Sequence, residues 1–217
     1  MLKMKVLFLI SRKLIDSNLK VKEENLDYKE ERMILPDHEI IEAIKKGEIK
    51  IIPFKPENVG PCSVDLTLAD EFVIFRKGAI IDPLDVESIR KGIVITKTYN
   101  KPLLLEPGQF ILAKTAEKVI LSKKYAATLE GRSSIARLGI VVHAAGLVNP
   151  GTGLKEPKPL VLEIFCQNSS PVKLYPGMKI VQIIFHKLSS EASIGYDERE
   201  TKSSQTILFF KGPEHFF

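Results

Sequence analysis

Cysteine is scarce in this chain: Cys62 and Cys166 are the only two in 217 residues, too few and too far apart for a disulfide framework. Long apolar runs are missing as well, and none approaches the length that spans a bilayer. The start, Met1-Leu2-Lys3-Met4-Lys5 followed by Val6-Leu7-Phe8-Leu9-Ile10, has a core too short for a secretory leader. Ser11-Arg12-Lys13 after it offers no small-residue cleavage site, so a cytoplasmic location is expected and a membrane partner is not. Aromatic residues are few, five Tyr and eleven Phe with no Trp, and they form no stacking motif. Basic residues are interleaved with acidic ones rather than gathered in a stripe, which argues against nucleic acid as a partner. The net charge of +5 suits a small polyanionic substrate instead.

Hydrophobic residues at 44% and charged residues at 27% are ordinary for a soluble globular protein, and the length supports one substantial core. Residues 1–32 stand apart as an extension of uncertain structure, with mixed charge runs such as Lys20-Val21-Lys22-Glu23-Glu24 and no clear apolar face. Met33 is an alternative start of translation. Asp37 is placed to cap a helix running to about Lys46, with Ile40, Ile41 and Ile44 on one face and Gly47 as its stop.

Beyond Gly47 the chain reads as strands. They are expected at 49–53, 63–68, 71–75, 92–96, 110–114, 117–121, 125–129, 140–143, 160–167, 172–174 and 178–187. Turns such as Pro107-Gly108 and Pro176-Gly177 punctuate them. The fold class is mainly β, a sandwich or distorted barrel.

Two segments carry chemistry. In Leu160-Val161-Leu162-Glu163-Ile164-Phe165-Cys166 a carboxylate interrupts a short apolar run. On a strand Val161, Glu163 and Phe165 share a face. Desolvation there would raise the Glu163 pKa toward the range of a general acid/base, although a buried ion pair would explain the same residue. Residues 130–143 read Glu-Gly-Arg-Ser-Ser-Ile-Ala-Arg-Leu-Gly-Ile-Val-Val-His. Ser133 or Ser134 can cap a short helix beginning near Ile135, whose first amides favour an anion. Arg132 and Arg137 add paired donors for phosphate or carboxylate, and Ser133 and Arg137 are neighbours on one helical face. A capped surface helix with two solvated arginines is the competing reading.

Gly131-Arg132-Ser133-Ser134-Ile135-Ala136-Arg137-Leu138-Gly139 resembles the signature of the dCTP deaminases and trimeric dUTPases, in its archaeal-type deaminase branch. Three further stretches resemble the same family in the same order: Val59-Gly60-Pro61-Cys62-Ser63-Val64-Asp65-Leu66, Ala145-Gly146-Leu147-Val148-Asn149-Pro150-Gly151, and Tyr175-Pro176-Gly177-Met178-Lys179-Ile180 through Phe185. The resemblance runs from about Met33 to Gln205, in a domain of residues 33–217 whose tail begins near residue 190. It implies a dUTPase-like distorted β-barrel or jelly roll with a short N-terminal helix, usually a homotrimer with sites between subunits.

Glu163, preceded by Val161 and Leu162, favours the deaminase branch, because plain dUTPases usually carry an apolar residue there. The resemblance implies hydrolysis of dCTP to dUTP and ammonia. Glu163 would move protons, Ser133 and Arg137 would place the water and Glu163, and backbone groups at Ala145 and Gly146 would read the base edge. Arg132 and Ser134 would meet the triphosphate. Tyr196, Lys202 and Gln205 would join them from the tail. Magnesium would enter on the phosphates of dCTP or dUTP, since this ion leans on substrate oxygens. Zinc is not expected: zinc-dependent nucleobase deaminases use His-x-Glu and Pro-Cys-x-x-Cys elements, and Pro61-Cys62 has no second Cys three residues later.

Two features depart from the family pattern. Asn149 stands where bifunctional members use an Asp to aim a water at the α-phosphate; an amide there can still bind substrate by hydrogen-bonding a deoxyribose hydroxyl, but it cannot act as a base. Residues 143–149 are one residue shorter than in deaminase relatives. Residues 149–163 are several longer and include Thr152-Gly153-Leu154-Lys155-Glu156-Pro157-Lys158-Pro159, which reads as an exposed loop. It would cap the pocket, contact a neighbouring subunit, or be a tolerated insertion. The competing functions are a dUTP pyrophosphatase, a bifunctional deaminase-pyrophosphatase, and a nucleotide-binding regulator without turnover.

Overall fold

A computed structural model describes residues 34–143 and 145–199. The extension before Met33, together with Lys202 and Gln205, lies outside the described residues. Helix α1 (Asp37–Lys45) buries Ile40 and Ala43 and ends at Gly47, whose positive φ of 72° turns the chain. Asp37 does not cap it as expected. Pro36 occupies the cap position, and the Asp37 carboxylate instead accepts from the His38 N–H at 2.8 Å.

Strands follow: β1 (Ile49–Ile52), β2 (Val64–Thr67), β3 (Glu71–Phe75), β4 (Ile93–Lys97), β5 (Leu103–Leu105), β6 (Phe110–Leu121), β7 (Tyr125–Gly131), β8 (Ile140–His143), β9 (Leu147–Val148), β10 (Lys158–Cys166), β11 (Val172–Leu174) and β12 (Lys179–Lys187). Two short helices, α2 (Val86–Gly92) and α3 (Ser133–Ala136), interrupt them. One sheet runs β4-β3-β6-β10-β8 with β1 also on β6; a second runs β2-β12-β7-β9; β5 and β11 form a pair. Side chains from both larger sheets meet in one core. Ile111, Ala113, Leu162 and Ile164 come from the first, and Leu66, Leu129, Ile183 and Phe185 from the second. Fully buried side chains such as Phe72 and Phe185 contribute roughly 1.5–3 kcal/mol each.

The mainly β class is as expected, but the described sheets are open rather than closed into a barrel. The segments 110–114 and 117–121 are one strand, because Thr115-Ala116 contains no breaker and the burial alternation runs through it unbroken. Helix α2 was not legible. It is short, capped by Asp85 accepting from the Glu87 N–H at 2.9 Å, and buries one large side chain, Ile89. Among the described residues no helix is long and apolar enough to cross a membrane.

Glu48 closes the α1–β1 corner. Its carboxylate accepts from Lys124 Nζ at 2.7 Å and from the Tyr125 hydroxyl at 2.9 Å. The Lys124 bond above all, helped by the Tyr125 bond, holds Glu48 below the usual carboxylate range. Burial and the Glu48 bond push Tyr125 up to about 12. A lowered carboxylate pKa stabilises the fold fully above the ordinary value and ceases to do so as pH falls through the lowered one. Glu48→Gln is therefore expected to cost about 1 kcal/mol at neutral pH. That difference should vanish on acidification, as chemical denaturation across pH would read.

Candidate active site

Strand β10 organises the site. Its register on β6 shifts between Pro159 and Val161, a bulge that frees the Leu160 amide from the ladder. The Thr115 hydroxyl accepts that N–H at 2.9 Å while donating to Glu117 O at 2.7 Å. Glu117 is itself buried and takes both the N–H and the hydroxyl of Thr67 at 2.8 Å, tying β2 to β6. The bulge is thus a fixed feature, and it sets the direction of every β10 side chain after it.

Downstream, Leu162, Ile164 and Cys166 enter the core, while Val161, Glu163 and Phe165 occupy the other, half-buried face. Glu163 lies mid-sheet, opposite Leu112 on β6 and His143 on β8. The expected alternation holds. Glu163 is not a core carboxylate, however, since its apolar neighbours in sequence point away from it, although its Oε2 is shielded from solvent.

A cleft of about 160 Å³ opens beside this face, lined by Leu129, Ala145, Gly146, Leu147, Val148, Asn149, Thr152, Leu160, Val161 and Tyr196. It unites five of the residues singled out in the sequence: Ala145, Gly146, Asn149, Val161 and Tyr196. Val161 and Glu163 are two positions apart on one face, or about 7 Å along the strand. The Gly146 carbonyl accepts from Leu129 N–H at 3.0 Å, which pins the hairpin to β7. Asn149 O accepts from both the N–H and the hydroxyl of Thr152, at 3.2 and 2.8 Å. The Asn149 side-chain amide keeps its hydrogen-bonding capacity, with no bond among the described residues.

Other candidates fall elsewhere. Leu162 is fully buried, so only its backbone is available to a ligand. Ser133, Ser134 and Arg137 are exposed around α3 and do not line the cleft. Neither serine caps that helix: Arg132 holds the cap position without a side-chain bond, and the helix is a single turn. One turn carries little macrodipole, so charge recognition there rests on the arginines. The Ser133–Arg137 adjacency is real, with Arg137 N–H donating to Ser133 O at 3.0 Å.

Two charged residues were missed. Asp65 on β2 forms ion pairs with Arg132, whose Nε lies 2.9 Å away, and with Lys179, whose Nζ lies 3.1 Å away. The pairing through Nε orients the guanidinium and leaves both terminal nitrogens available to an anion. The signal was present: Asp65 sits on a strand between Val64 and Leu66, both buried, where a carboxylate needs a cationic partner.

Glu163 thus shares a strand face with the wall of a small mixed-polarity cleft, while Arg132, oriented by Asp65, stands just before α3 and outside that lining. The sequence model of the dCTP deaminase-like family matches residues 34–188, and the chain belongs to that family. A protein named "dCTP deaminase, dUMP-forming" from Nanoarchaeum equitans is 42% identical over 173 residues, covering 72% of this chain and 85% of its own. One of the same name from Methanopyrus kandleri is 37% identical over 197 residues, covering 82% and 99%. Among solved structures, the 2'-deoxycytidine 5'-triphosphate deaminase of Agrobacterium tumefaciens superposes with a TM-score of 0.58 at 21% identity. That match covers 73% of this chain and 49% of the other, and it supports the fold alone.

Proposed function

We propose that this protein hydrolyses dCTP in two steps, releasing ammonia from the base and then diphosphate, with dUMP as the final product. The observation carrying this reading is the cleft that gathers Ala145, Gly146, Asn149, Val161 and Tyr196 beside the face of Glu163. The relatives' shared name, which specifies dUMP, replaces dUTP as the expected end product and favours the bifunctional alternative.

In the first step a water oxygen adds to C4 of cytosine as Glu163 takes its proton. Glu163 passes that proton to N3, and after the water's second proton reaches the amino group, the C4–N bond breaks and ammonia leaves. The backbone at Ala145 and Gly146 reads the base edge, Tyr196 bounds the sugar side, and Arg132 meets the triphosphate. In the second step the Asn149 amide orients a water toward the α-phosphorus; the water oxygen bonds to phosphorus as the bond to the α–β bridging oxygen breaks, and the water's proton leaves on the phosphate oxygens of the departing diphosphate, since the amide cannot take it. Among the described residues no three His, Cys, Asp or Glu side chains converge on a metal position. The donor set thus fits Mg2+ arriving on the nucleotide's own oxygens, where it would neutralise phosphate charge.

The cleft is smaller than the roughly 300–1,000 Å³ of ordinary ligand sites. Ser133, Ser134 and Arg137 lie outside it, at the start of β8, whereas Glu163 pairs with the end of that strand. Both observations support a homotrimer in which a second copy brings α3 to the cleft. Co-expressing Glu163→Gln with Arg137→Ala tests this. Randomly mixed trimers should regain activity at about a quarter of their sites, because each inactive copy supplies what its neighbour lacks. No recovery in mixed trimers would place the whole site within one chain.

A further inference from the structure

The loop after Asn149 and the start of the tail are joined point by point. Pro150 O accepts from the Tyr196 N–H at 2.7 Å, and Asp197 Oδ2 accepts from the Lys155 N–H at 3.0 Å. Between these bonds the two backbones touch. A Cβ on Gly151, where φ is +80°, would lie 2.5 Å from Gly195 Cα and 2.8 Å from Tyr196 N. Gly195 is buried, and its N–H donates to Glu198 Oε2 at 2.8 Å, closing the 3-10 turn Tyr196–Glu198. Lys123 Nζ lies 3.6 Å from the same oxygen. The Gly195 amide, together with the Lys123 charge, holds Glu198 below the usual carboxylate range.

The loop's other side is anchored as closely. Thr152 O accepts from the Leu121 N–H at 2.9 Å, and a Cβ on Gly153 would meet Val119 O at 2.4 Å. Gly151 and Gly153 are buried, whereas Leu154, Lys155 and Glu156 face solvent. Only the middle of this loop is therefore the exposed segment expected from its composition. Its first end, Gly151 to Gly153, is wedged between β6 and the tail, with no room for a side chain at either glycine. A freely tolerated insertion has no need of such contacts.

We propose that this loop is a clasp for the tail, and that Asp197 is a positioning residue which sets Tyr196 against the cleft before nucleotide arrives. Tyr196 is half exposed and stands on the cleft wall next to the clasp. Ordering it in the free protein removes that cost from the binding step, so the clasp acts on KM rather than on kcat. The ligand rests on the dCTP reading above, but the clasp is defined by protein contacts alone.

The test is dCTP kinetics on Asp197→Ala and Asp197→Asn, each alone and combined with Tyr196→Ala, with amide hydrogen exchange on the nucleotide-free proteins. Asp197→Ala should raise KM about tenfold, the cost of ordering one side chain on binding, with kcat within about twofold. Asp197→Asn keeps an oxygen for the Lys155 N–H and should restore KM. In the Tyr196→Ala background Asp197→Ala should add nothing. A rise of the same size in that background, or a fall in kcat at constant KM, would overturn the proposal. Exchange separates the two readings. Faster exchange at the Lys155 and Tyr196 amides in Asp197→Ala is expected, and unchanged exchange overturns the clasp even in an active enzyme. Altered exchange in a protein that never turns over dCTP supports the clasp and overturns only the substrate.

Discussion

Glu163→Gln is expected to abolish ammonia release from dCTP, by about a thousandfold in kcat, while nucleotide still binds. The substitution keeps the size of the side chain and one acceptor oxygen, so the half-buried face of β10 should pack unchanged. What it removes is the ability to take a proton from water and deliver it to the ring. Thermal stabilisation by dCTP should persist, because a ligand bound to the native state shifts unfolding whether or not it is turned over. Turnover within a few-fold of the unaltered protein would remove Glu163 from the mechanism. Loss of both turnover and stabilisation would make it a binding or structural residue.

The second large effect is expected at Asn149. Asn149 lines the cleft, with its backbone oxygen fixed by Thr152 and its side chain without a hydrogen bond among the described residues. An amide can hold a water but cannot accept its proton, so diphosphate release should be the slower step and dUTP should accumulate before dUMP. Asn149→Asp should accelerate conversion of dUTP to dUMP by about tenfold or more, the lower part of what a general base supplies. Asn149→Ala should slow that conversion about a hundredfold by leaving the water unheld, with ammonia release changed only a few-fold. Parallel changes in both products would show that Asn149 serves binding alone. No change in either variant would move the second step to another residue.

How far these residues could be read from the sequence depended on the range of the interaction. The alternation around Glu163 and the strands at 71–75, 140–143 and 172–174 follow from local pattern, and they stand where the sequence put them. Four cleft residues were identified because the hairpin at 145–151 and the tail near Tyr196 carry ordered motifs, and a fifth, Val161, because it precedes Glu163 on the same strand. What the sequence concealed is long-range. The bulge at Leu160 depends on Thr115, which is 45 positions away, and no local signal marks it. The Asp65–Arg132–Lys179 cluster joins three strands or their ends. The loop at 152–159 looked solvated because Gly, Pro and Lys dominate it. Gly153 within it and Gly151 just before it serve close backbone approach instead, which composition cannot distinguish from flexibility. The serine caps failed for a simpler reason: a helix of one turn has little to cap.

The central claim is that this chain deaminates dCTP through Glu163. The most direct measurement incubates the unaltered protein and Glu163→Gln with dCTP and magnesium, assaying ammonia while separating nucleotides by chromatography. The account predicts stoichiometric ammonia, with dUTP rising and then giving way to dUMP, from the unaltered protein alone. No ammonia from the unaltered protein, or equal ammonia from both, would contradict it.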